Sequence, residues 1–276
     1  MITKPCAKIN LGLNVVGVRP DGYHDIETVF YPVPVYDMIE MCEMDDSFTS
    51  AYRADIKTTG ATVDCDDQKN LVVKAYNLLA DDYKLPRMHI HLYKNIPMQA
   101  GMGGGSADCA YAITLLNRQY GLGLSLDEMR RYAARLGADC AFFINPQPSY
   151  ADGIGDRLRP ADVSLSGYHI AVVKPPVAVS TALAYAKIAP AHPAICCREV
   201  VKQPVETWKD NLSNDFEKPI FDIYPELAAI KQHLYDRGAV FAMMSGSGSA
   251  MFGIFDRIPD QLANDFPDCR TITEQL

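Results

Sequence analysis

The run Gly101-Met102-Gly103-Gly104-Gly105 places four glycines in five positions. Such a concentration sacrifices backbone entropy, so it needs a compensating use. Before it, Met88, Ile90 and Leu92 alternate with other residues and predict a strand; after it, residues 106–119 predict a helix. Strand, glycine loop and helix in that order gather bare amides and the N-terminal helix dipole around one point, and a phosphate is the natural guest. A flexible turn is the plainer alternative. The run is not a Walker A loop, because Gly105-Ser106-Ala107 lacks the lysine. The surrounding pattern is not βαβ either, which argues against a dinucleotide fingerprint.

Away from the loop, the chain predicts mixed strands and helices without regular βαβ alternation, hence an α+β fold. Residues 1–44 predict strands, and 70–83, 126–136 (capped by Ser125, stopped by Gly137), 180–188 and 225–236 predict helices. Residues 168–173, 240–244 and 250–255 predict further strands, and the polar stretch 190–210 a mobile loop. At 276 residues the chain has room for one large domain or two intimate ones. A boundary near 155–165 divides it into 1–158 and 159–276.

Composition excludes several classes. With 48% hydrophobic and 22% charged residues, disorder is ruled out. A net charge of −8 without a basic cluster argues against nucleic-acid binding. No apolar run approaches the roughly 20 residues that span a bilayer, and residues 1–5 show no export signal. A cytoplasmic protein with reduced thiols is therefore expected of the eight cysteines, which form no C-x-x-C pair. His89 and His91 alternate on one strand, but further ligands for zinc are not evident nearby.

Three more segments carry chemistry: Pro5-Cys6-Ala7-Lys8-Ile9-Asn10-Leu11, Leu136-Gly137-Ala138-Asp139-Cys140 and Met244-Ser245-Gly246-Ser247-Gly248. In the first, a period of two puts Lys8 and Asn10 together, opposite Ile9, Leu11, Leu13 and Val15. With the glycine loop, these segments resemble in order and spacing the motifs of the GHMP kinases (galactokinase, homoserine, mevalonate and phosphomevalonate kinases). Arg19-Pro20-Asp21-Gly22-Tyr23-His24, Asn70-Leu71 before Lys74-Ala75, and Asn214-Asp215-Phe216-Glu217 are similar to the branch whose acceptor carries a cytidine diphosphate group. The resemblance spans residues 5 to about 255. Met102, Gln99 and Cys140 depart from the commoner residues.

The resemblance implies a two-domain kinase with its active site in a cleft between the domains, using ATP and Mg2+ to phosphorylate a small alcohol. It makes Asp139 the general base and Lys8 its cationic partner. Pro97, Ala100, Gly101, Gly103, Gly104, Gly105 and Ser106 line the ATP phosphates, with Asn70, Lys94 and Asp108 as further ATP-binding positions. Asn10, Tyr23, His24, Thr181 and Tyr185 fall to the substrate, and Ser245, Gly246, Ser247 and Gly248 form an active-site loop. Plainer readings stand beside these: an N-cap for Asp139, a solvated strand lysine for Lys8, a helix cap for Asn70. No carboxylate is assignable to magnesium from sequence. The implied partners are ATP and the cytidine diphosphate substrate, with a monomeric or weakly dimeric chain. The alternatives are a relative acting on a homoserine- or mevalonate-type alcohol, or a catalytically silent nucleotide binder.

Overall fold

A computed structural model of the chain describes residues 1–45, 47–63 and 65–276. They divide into two compact units, one of residues 1–7, 35–98 and 103–146, the other of 8–34, 99–102 and 147–276. No single cut of the chain reproduces this. The stretch where a boundary was expected is a β-hairpin, Ser149–Asp152 paired antiparallel with Arg157–Pro160, and cutting there would open its ladder.

The first unit is built on a four-stranded sheet in the order Ile2–Thr3, Met38–Glu43, Met88–Lys94, Ala54–Gly60. Ala54–Gly60 runs parallel to Met88–Lys94, and the helix Leu71–Tyr83 makes the crossover that a parallel pair requires. That helix buries Val72, Ala75, Tyr76, Leu79 and Ala80, one apolar stripe at helical spacing. Leu126–Ala134 begins with a full capping box between Ser125 and Glu128, but ends earlier than expected, capped at Arg135 rather than stopped by Gly137.

The second unit holds two sheets. One is fully antiparallel, in the order Phe241–Met244, Met251–Phe255, His169–Lys174, Arg270–Gln275. The other is ordered Cys6–Val18, His24–Tyr36, Ser149–Asp152, Arg157–Pro160. Its core gathers Leu13, Val15, Val173, Phe216, Leu227 and Met251 among others. Residues 190–210, expected as a mobile loop, contain the short helices Cys197–Val200 and Trp208–Asn211. Trp208 is the anchor there. Buried edge-on against Phe241 at 5.5 Å, it donates its indole N–H to the Gln203 carbonyl at 2.9 Å. A segment polar by composition thus buries Cys197, Val200, Val201 and Val205 together with Trp208, a spacing that window periodicity does not register.

Trp208→Ala leaves a large cavity beside Phe241 and is expected to cost about 3–5 kcal/mol of stability, read as a lowered midpoint in denaturant unfolding. A midpoint unchanged from wild type contradicts that role.

Candidate active site

Lys8 is only 4% exposed, not a solvated strand lysine. Its ammonium donates to Asn10 Oδ1 at 2.5 Å and to the Gly101 carbonyl at 2.9 Å, and lies 5.0 Å from the centre of the Phe30 ring. Two-residue alternation along Cys6–Val18 brings Lys8 and Asn10 together, as the sequence predicts. Asn10 is oriented in turn. Its Nδ2 donates to Thr28 Oγ1 at 2.8 Å, and that hydroxyl donates to the Gly12 carbonyl at 2.5 Å. The Lys8 backbone N–H meets the Met102 carbonyl at 3.0 Å, so the strand grips the loop twice.

The loop's glycines have specific tasks. Gly101 has φ +69°, and a Cβ there would lie 1.8 Å from the Ser245 carbonyl oxygen. The Gly101 carbonyl also accepts from Ser245 Oγ at 2.9 Å, so residues 245–248 and Lys8 converge on one acceptor. Gly103, at φ +73°, is the N-cap of the helix Gly104–Tyr120 and offers no side-chain cap. The first-turn amides of Gly104, Gly105 and Ser106 thus receive no side-chain cap from Gly103, and a helix N-terminus of this kind suits an anion. Helix formation starts two residues before the expected Ser106, because the second half of the glycine run is helical. Pro97 and Ala100 are buried in the loop.

Asp139 lies half-buried in the first turn of the 3-10 helix Ala138–Ile144, whose N-cap is Gly137. Beside it the Cys109 thiol donates to Cys140, which lowers the Cys140 thiol below its ordinary value and, with burial, raises that of Cys109. Cys140 also hydrogen-bonds to Ser106.

Residues 19–23 form a tight turn: Gly22 N–H meets the Arg19 carbonyl at 3.0 Å and Tyr23 N–H meets Asp21 Oδ1 at 3.0 Å. Tyr23 projects into solvent. His24 rests against Tyr185, ring centres 4.8 Å apart and tilted by 32°. Thr181 Oγ1 is 3.2 Å from Ser247 Oγ, linking the helix Thr181–Ala186 to the 245–248 loop.

Asn70 caps the helix Leu71–Tyr83, its Oδ1 accepting from Val72 N–H at 2.9 Å. Lys94, expected near the nucleotide, is 2% exposed and its ammonium is held by Asp37 and by Asp108 Oδ2, the latter at 2.6 Å. Asp37 was not singled out from sequence. Its Oδ1 also accepts the N–H groups of Asn95 and Ile96 at 2.5 and 2.7 Å. The cluster thus ties the strand leading into the loop to the helix leaving it. Burial pushes the Asp108 carboxyl up to about 7, against the opposing pull of Lys94. Burial works against the charge on Lys94, but Asp108 and Asp37 outweigh it and raise its value.

No group of three His, Cys, Asp or Glu side chains able to hold a metal occurs among the described residues. Asp37 and one oxygen of Asp108 are engaged with Lys94, while Asp108 Oδ1 is buried without a hydrogen-bond partner. The residues present therefore do not fit a dedicated protein cage for a divalent ion.

Residues 70–146 match the GHMP kinases N terminal domain and residues 198–268 the GHMP kinases C terminal model. The chain belongs to the GHMP kinase family. Within it, the chain is 49% identical over 255 residues, 92% of each chain, to a 4-diphosphocytidyl-2-C-methyl-D-erythritol kinase of Bacteroides fragilis. It is 41% identical to the kinase of that name from Porphyromonas gingivalis, over 98% of this chain and 97% of the relative. A crystal structure of 4-(cytidine 5'-diphospho)-2C-methyl-D-erythritol kinase superposes with TM-score 0.82 at 30% identity, covering 99% and 98% of the two chains. Homoserine kinase from Cytophaga hutchinsonii, at 15% identity and TM-score 0.68, covering 99% and 93%, shares the fold alone.

Two outcomes are expected. Gly101→Ala cannot keep this loop, and kcat/KM for ATP should fall at least tenfold, measured by steady-state kinetics. A carboxyl raised in the native state keeps a proton that the unfolded chain has already lost between about pH 4 and 7, so its contribution to stability falls as pH rises through that window. Asp108→Asn should remove this component, flattening the thermal midpoint between pH 5 and 7; an unchanged slope contradicts it.

Proposed function

We infer that the protein is an ATP-dependent kinase that phosphorylates the 2-hydroxyl of 4-diphosphocytidyl-2-C-methyl-D-erythritol, giving the 2-phosphate and ADP, in the methylerythritol phosphate route to isopentenyl diphosphate. The observation that carries this reading is identity approaching one half with the B. fragilis kinase over 92% of both chains. A mevalonate kinase, by contrast, is similar at 12% identity, which leaves a mevalonate-type acceptor without support beyond the fold. A silent binder has no use for both Lys8 and Asp139.

In this mechanism each residue has a limited task, since phosphoryl transfer asks a protein mainly for positioning and charge stabilisation. Asp139 accepts the proton of the 2-hydroxyl as its oxygen attacks the γ-phosphorus, a role worth roughly 10²–10⁴-fold. Lys8, held by Asn10 and the Gly101 carbonyl, offsets charge developing on the transferring phosphoryl group. The amides of 104–106 cradle the phosphates, and His24 and Tyr185 receive the cytosine, His24 by its edge and Tyr185 by its face. Mg2+ arriving with ATP would supply neutralisation of phosphate charge, and no residue role above depends on it. A cytoplasmic monomer or weak homodimer completes the reading. No helix among the described residues is long and apolar enough to cross a membrane.

ADP release in a coupled assay should depend on the cytidine diphosphate alcohol and not on homoserine or mevalonate. Asp139→Asn should keep ATP affinity within about twofold and lower kcat by roughly 10²-fold or more. Normal turnover in that variant refutes the base; ADP release with homoserine refutes the acceptor.

A further inference from the structure

Residues 214–217, Asn-Asp-Phe-Glu, hold none of the roles above, yet their four side chains reach four separate parts of the larger unit. Asn214, 4% exposed, donates through Nδ2 to the carbonyls of Met244 and Gly246, each at 2.8 Å. Those carbonyls flank Ser245, whose hydroxyl meets the Gly101 carbonyl that Lys8 also engages. The Oδ1 of Asn214 accepts the Phe216 N–H at 3.0 Å, so both amide donors and one acceptor lone pair are used. Asp215 binds the strand that carries Lys8 and Asn10, through Val15 N–H at 2.8 Å and Asn14 Nδ2 at 3.0 Å. The Phe216 ring stands edge-on to Tyr185, centres 4.9 Å apart, and Tyr185 in turn meets His24. Glu217 accepts Met244 N–H at 2.8 Å with one oxygen and the Lys231 ammonium at 2.5 Å with the other.

We propose that residues 214–217 form one positioning element shared by the two sides of the site, Asn214 setting the phosphate side through residues 244–246 and Gly101, and Phe216 setting the nucleoside side through Tyr185. The proposal rests on the assignment of Lys8 and the glycine loop to ATP and of Tyr185 to the cytidine group. None of the four is assigned to substrate; Asn214 acts through the loop that follows Met244 and Phe216 through Tyr185, while Asp215 and Glu217 anchor the stretch to the neighbouring strands and to Lys231. The coupling is physical rather than merely spatial. Two buried carbonyls depend on one amide, and removing the donor strands both unless the loop moves. Phe216 is the side chain that fixes how Tyr185 leans, since a T-shaped pair has a preferred geometry. Four consecutive residues therefore set loop position and ring orientation from a single stretch of backbone.

The test is a split of kinetic parameters. Asn214→Asp keeps the size and the acceptor but turns a carboxylate oxygen toward two carbonyls. It should lower kcat/KM for ATP about tenfold to a hundredfold while KM for the cytidine substrate stays within about twofold. Phe216→Leu should do the reverse, raising KM for the cytidine substrate about tenfold with ATP parameters kept. Asn214→Ser, a milder change, serves if the aspartate variant does not fold. In a double-mutant cycle, Asn214→Asp with Ser245→Ala should cost no more than about twofold beyond Asn214→Asp alone, because one pathway has already been cut. Additive losses, or a fall in kcat with both KM values unchanged that tracks the folded fraction, overturn the proposal. Wild-type enzyme that releases no ADP with the cytidine substrate overturns the underlying reading instead.

Discussion

One backbone oxygen organises much of this site. The Gly101 carbonyl accepts from the Lys8 ammonium and from the Ser245 hydroxyl, and both bonds are 2.9 Å. A buried ammonium must be surrounded by acceptors or lose its charge. The strand supplies one in Asn10, two residues on, and the glycine loop supplies another. Gly101 is there because any side chain would collide with the Ser245 carbonyl. Three segments separated by more than 90 residues in sequence thus fix one another's positions around a single atom.

The second buried lysine behaves differently. Lys94 is surrounded by two carboxylates at almost no exposure, and Asp37 spends its other oxygen on the next two backbone amides. A lysine so placed would have to exchange a carboxylate for a phosphate before it could serve a nucleotide directly. Its visible work is mechanical: it joins the end of Met88–Lys94 to the helix Gly104–Tyr120, and so holds both stems of the glycine loop. With three ionisable groups in low dielectric, the least costly state is the one nearest neutrality. The upward displacement of Asp108 expresses that preference.

How much of this was legible beforehand depends on range. Local signals carried well: the helix 225–236 was expected and is found as Pro225–Asp236, and the Ser125 cap is in place. The pairing of Lys8 with Asn10 followed from strand alternation alone. What stayed hidden was set by partners far along the chain. Asp37 sits in an unremarkable strand-end sequence and gains meaning only from Lys94, 57 residues later. The helix Trp208–Asn211 begins at the residue that meets Phe241, more than 30 positions later. The strand Ala54–Gly60 lacks clean alternation, with Ala54 and Ile56 buried and a polar tail, because its parallel neighbour rather than its own pattern holds it in place. The units interleave for the same reason: contacts ignore chain order.

Homoserine and mevalonate kinases share this fold at 12–15% identity, so the fold by itself does not set the acceptor. The segment whose sequence is similar to the cytidine diphosphate branch is the turn at 19–23, followed by His24 against Tyr185. Those two rings are in contact, with centres 4.8 Å apart, so a pyrimidine does not slide between them as they stand. Tyr23 is exposed at the tip of the turn. Rings held in advance lose less freedom on binding than flexible aliphatic chains. A site selecting a nucleotide-tagged alcohol over a bare one is therefore well served by aromatics fixed from behind, which is the arrangement that Phe216 provides for Tyr185.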